Sequence, residues 1–155
     1  MMRTIFTRSV FAALAGSIAM AGCGSSSPSC DLDALLRHRA GAGAVDCGSV
    51  AIGAPTTATD QCIADHSAAG TPFFARYAVQ GIDSQVVLGV VRDPQGQTSV
   101  LLWDSDPSGG SGAPARITES VCGGDPPVQT PLTRPDGFPV VSCTVEVSTD
   151  LACSG

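Results

Sequence analysis

His38 and His66 are the two histidines of this sequence, and histidine is the residue type that most often serves as a general base. A hydrolase built on His66 needs a carboxylate to orient the ring, and Asp83 and Asp104 are the candidates. Asp65 adjoins His66, but adjacent residues on a helix point in different directions. No G-x-S-x-G nucleophile elbow occurs in the chain. The simpler roles are a solvated helix end for His38 and a partly buried helix position for His66. Seven cysteines are the other reactive groups. Cys23 stands apart for reasons given below. The rest, Cys30, Cys47, Cys62, Cys122, Cys143 and Cys153, form an even set in a small chain, the pattern of three disulfides. Zinc is a poor alternative. There is no C-x-x-C pair, and Cys62/His66 alone supplies only two of four ligands. Cys47 is expected to pair with Cys62 across a loop rich in Gly and Pro.

The segment Asp104-Ser105-Asp106-Pro107-Ser108-Gly109 places oxygen-bearing side chains at its first, third and fifth positions and Gly at the sixth. It resembles the start of an EF-hand-type calcium loop, with Asp104, Asp106 and Ser108 as ligands. Position twelve is Ala115 where that loop has a bidentate Glu, Glu119 falls too late, and Pro107 restricts Asp106. The competing expectation is a loop whose carboxylates cap backbone donors. Calcium is the one cofactor the sequence raises. Ser108-Gly109-Gly110-Ser111-Gly112 is not a phosphate loop, since the motif's Lys is missing. It is similar to Ser/Gly-rich loops of periplasmic lysozyme-inhibitor lipoproteins. Phe74 and Arg76 are a second candidate binding pair, because alternation places both on the outward face of a strand.

The N-terminus carries an address. Met1–Arg8 is short and basic, and Val10–Ala21 is apolar and rich in small residues, as in a secretory signal peptide. Met20-Ala21-Gly22-Cys23 resembles the lipobox of bacterial lipoproteins, with Met in place of the usual leucine. The resemblance implies removal of residues 1–22 and acylation of Cys23. It makes residues 23–29, with Gly24-Ser25-Ser26-Ser27-Pro28-Ser29, a flexible tether, and residues 30–155 one disulfide-bonded domain. Gly24 stands where Asp would retain such a protein at the inner membrane, so outer-membrane placement in the cell envelope is expected.

Composition narrows the partners. The chain has 155 residues, with 14 acidic against 8 basic and no lysine. Loss of Arg3 and Arg8 with the signal peptide leaves 6 basic residues and a net charge of −8. Such a surface lacks the cationic footprint that nucleic acid requires and has no basic patch for anionic lipid.

The elements that would position these groups are legible in part. Leu32–Arg39 reads as a short helix with Ser29 as N-cap, and Thr59–Ala69 as the principal helix, capped by Thr57 or Thr59 and stopped by Gly70. Cys62, Ile63, His66 and Ala69 form its expected inward face. Residues 46–57 read as irregular. From Pro72 the period becomes two: Phe73, Ala75, Tyr77 and Val79 alternate with Phe74, Arg76, Ala78 and Gln80. Gly81–Ser84 is a turn. Val86–Arg92 and Thr98–Trp103 flank the turn Asp93-Pro94-Gln95-Gly96. Arg116–Cys122 and Phe138–Val147 are further strands, separated by a long connection over Gly123–Gly137. The expected fold is α+β: one principal helix packed on an antiparallel meander of four to five strands, stapled by disulfides. In outline it resembles cystatin-like folds. With no acid–base constellation and with long loops, the chain is expected to be a membrane-anchored binding or interaction module. Its partner would be an envelope protein or polysaccharide. A periplasmic enzyme inhibitor or a small hydrolase using His66 are the alternatives.

Overall fold

The computed structural model describes residues 30–110, 113–123, 129–133, 139–142 and 144–151. The expected signal peptide, Cys23, the tether, Cys143 and Cys153 lie outside them. The fold is α+β. The helices are α1 (Leu32–Ala40) and α2 (Thr57–Ala69). The strands are β1 (Val45–Val50), β2 (Phe73–Gln80), β3 (Gln85–Arg92), β4 (Thr98–Asp104), β5 (Arg116–Gly123), β6 (Gln129–Thr133), β7 (Pro139–Ser142) and β8 (Thr144–Leu151). Six strands make the main sheet in the order β1-β2-β3-β4-β5-β8, and β6-β7 is a separate antiparallel pair.

Strands β2 to β5 form the expected meander, each antiparallel to the next, and β8 extends it. The sheet is thus larger than the four to five strands expected. The added edge strand, β1, lies in the segment read as irregular. It pairs in parallel with β2, so β1, α2 and β2 form a βαβ unit ahead of the meander. A bulge hides β1 from periodicity. The register slips between Asp46 and Ser49, and Asp46 Oδ1 accepts the Gly48 amide at 2.9 Å.

The helices cover opposite faces. α1 starts at Asp31, not Ser29; the Asp31 carboxylate accepts the Ala34 amide at 3.0 Å. It buries Leu32, Leu36 and Ala40, one stripe at i, i+4 and i+8, against Phe74, Val91, Leu101 and Ile117. Gly89 of β3 makes this approach possible, because a Cβ there would sit 2.9 and 3.0 Å from the two Leu36 methyls. Arg39 ties the helix to β5 through Glu119 at 2.7 Å.

α2 buries Thr59, Asp60 and Ile63, one turn earlier than the expected face, against Phe73, Ala75, Tyr77 and Val90. Its N-cap position is Thr56, with no side-chain cap bond. Gly70 closes the helix in the left-handed conformation, as expected. The Cys47–Cys62 disulfide, closing 15 residues, fastens α2 to β1. Cys30 and Cys122 are also disulfide-bonded. The Tyr77 hydroxyl, fully buried, donates to Asp60 Oδ1 at 2.6 Å. Burial first, and the adjoining carboxylate second, push the phenol well above its ordinary range.

Candidate functional site

Strand directions sort the connections to two ends of the sheet. β1 and β2 run in parallel, so the segment after Val50 and the hairpin after Gln80 leave at the same end. Gln85 pairs with Gln80, and Val86 with Asp104, so the β4–β5 loop emerges there too. Cys30 marks the same end, its Sγ 3.5 Å from the Ala115 carbonyl just ahead of β5. Three connections and the start of the domain therefore share one surface.

The first connection turns at Ala51–Ala54, where the Ala54 amide reaches the Ala51 carbonyl at 3.0 Å. Ile52 occupies the corner and is 58% exposed. The second is the β2–β3 turn, which needs Gly81, since a Cβ there would collide with the Ser84 carbonyl oxygen. The next residue, Ile82, is 99% exposed. Polar residues usually hold such corners. Neither isoleucine packs in the domain's own core.

Residues 104–110 of the third connection are organised by their own carboxylates. Asp104 Oδ1 accepts the Asp106 amide at 3.0 Å. Asp106 accepts the Ser108 amide at 3.3 Å and the Gly110 amide at 2.7 Å. Ser105 clamps the loop to β3: its hydroxyl accepts the Gln85 amide at 2.8 Å, and its amide donates to the Gln85 carbonyl at 3.0 Å. The candidate calcium ligands Asp104 and Asp106 thus act as backbone caps. Among the described residues, no three His, Cys, Asp or Glu side chains are grouped to hold a metal ion. Asp83, Asp104 and Asp106 make this end acidic, while Arg116 pairs with Asp150 at 3.1 Å.

The other sequence candidates lie elsewhere. Phe74 is not exposed as expected: it is 4% accessible beneath α1. Alternation assigned that face of β2 to solvent, but α1 covers it. The guanidinium carbons of Arg37 and Arg76 stand 5.3 and 5.9 Å from the Phe74 ring centroid. Arg76 reaches Asp33 of α1 at 2.5 Å and Asp46 of β1 at 3.3 Å. The pair is brought together, but as a clasp among α1, β1 and β2.

His66 sits at the far end of α2, with Nδ1 2.7 Å from the Thr71 hydroxyl. Asp65 is engaged by Gln61 at 2.7 Å. Asp83 and Asp104 belong to the opposite end of the sheet, about 23 Å away along β2 at the usual rise per residue. The structure does not assemble the acid–base pair that the hydrolase alternative requires. His38 is exposed on α1. Sequence inspection missed Ile52 and Ile82. The available signal was a β-branched apolar residue at a turn corner, in Ala-Ile-Gly-Ala and Gly-Ile-Asp-Ser. Compared with protein-family models, curated proteins and solved structures, the chain shows no match.

Proposed function

We propose that this chain is a lipid-anchored lipoprotein of the bacterial envelope, at the outer membrane, that serves as a binding module and not as an enzyme. The loop-bearing end of the sheet is its recognition surface. The observation that carries this is Ile82, 99% exposed on a two-point-clamped hairpin, with Ile52 at the neighbouring turn. Recognition commonly resides on loops held by a rigid scaffold. Here the carboxylate caps of Asp104 and Asp106 organise residues 104–110, and such prior ordering lowers the cost of binding. Anchoring raises the local concentration of envelope partners.

The test is site-specific photocrosslinking in intact cells. A photoreactive side chain at position 82 should give an adduct with an envelope component, whether protein, glycan or lipid. The same group at Gln95, in the β3–β4 turn at the opposite end, should not. A position 82 that crosslinks no more than position 95 removes the support for a recognition end.

A further inference from the structure

We infer that the partner of the loop end is the surface of a lipid bilayer, on which Ile52 and Ile82 rest. This depends on the proposal that the chain is anchored through Cys23. The first argument is reach. Seven residue steps separate Cys23 from Cys30, and a fully extended chain spans at most about 25 Å over that length. Cys30 lies beside Ala115, at the loop end. An anchor at Cys23 therefore holds this end near the bilayer. The opposite end lies a further strand length away, about 23 Å for the seven steps of an eight-residue strand.

The second argument is chemistry. The side chains at the turn corners are isoleucines, exposed by 58% and 99%, with no place in the two cores of the domain. Amphipathic surfaces that rest on membranes bury such side chains at the boundary between headgroups and acyl chains. The third argument is charge. Asp83, Asp104 and Asp106 lie at the same end of the sheet as the isoleucines, and the chain has no lysine. This disfavours an anionic surface and selects a zwitterionic one. It also disfavours a second copy of the chain, because a two-fold contact would set these carboxylates against one another.

Trp103 is the single tryptophan, so an added one is read against a simple background. Full-length protein purified from membranes, as parent, Ile82→Trp and Gln95→Trp, is reconstituted into phosphatidylcholine vesicles with brominated acyl chains. Ile82→Trp should show a blue-shifted emission and a several-fold greater quenching than Gln95→Trp. Ile52→Trp should follow Ile82→Trp. Equal quenching at positions 82 and 95 overturns the proposal, as does a concentration-dependent blue shift without lipid, the mark of self-association. Intact mass separates the two levels. An acylated but unquenched protein leaves the anchored binding module standing and removes the bilayer contact. A chain that keeps residues 1–22 and a free Cys23 thiol removes both.

Discussion

Tyr77 is the only tyrosine in the chain, and there is no lysine, so alkaline titration isolates one group. Its hydroxyl is fully buried and donates to Asp60 at 2.6 Å. Burial and the carboxylate both oppose a phenolate, so the folded protein keeps the proton far above the usual range. The unfolded chain releases it near pH 10. Above that value the unfolded state binds fewer protons than the folded state, and stability falls as pH rises. The loss is about 1.4 kcal/mol for each further pH unit until the folded group itself titrates. Two such units consume a sizeable share of the ~5–15 kcal/mol typical of a domain. Tyrosinate absorbance near 295 nm, followed together with circular dichroism, is the assay. Phenolate should appear only with unfolding, as one cooperative step. Tyr77→Phe should flatten the stability profile above pH 10. At neutral pH it should cost roughly 1.5–3 kcal/mol, because Asp60 loses its buried donor. A gradual, reversible titration near pH 10 with the far-ultraviolet spectrum intact would refute the assigned burial.

Gly89→Ala should destabilise by about 1–3 kcal/mol in urea unfolding, because the added methyl meets Leu36 at 2.9 Å where the core has no slack. Gly89→Ala combined with Leu36→Val should recover part of the loss, and a fully stable Gly89→Ala would contradict the packing of α1. Removing the Cys47–Cys62 bridge by a double Cys→Ala change should cost about 2–4 kcal/mol, measured the same way. Cys30 and Cys122 are disulfide-bonded as well, so non-reducing peptide mapping should recover a Cys47–Cys62 peptide and no free thiol at Cys30 or Cys122, and a free thiol at either would contradict the structure.

Local chemistry was readable in the linear chain. Gly70 as a helix stop, the turn at Asp93–Gly96 and the period-two run from Phe73 each depend on neighbours a few residues away. The Cys47–Cys62 pair could be anticipated because a short, turn-rich loop joins its members. These features determine an α+β protein with a central meander.

Three features were settled only by tertiary contact. β1 is a strand because β2, more than 20 residues later, offers it a parallel partner. Its own sequence, broken by the bulge at Gly48, carries no regular period. Phe74 is buried because α1 lies across the second face of the sheet. Strand alternation distinguishes two faces but does not say whether both are covered. The gathering of Ile52, Ile82, the Asp104–Gly110 loop and Cys30 at one end follows from strand direction. That direction is fixed by pairing between segments far apart in the chain, so spacing along the sequence carries no trace of it.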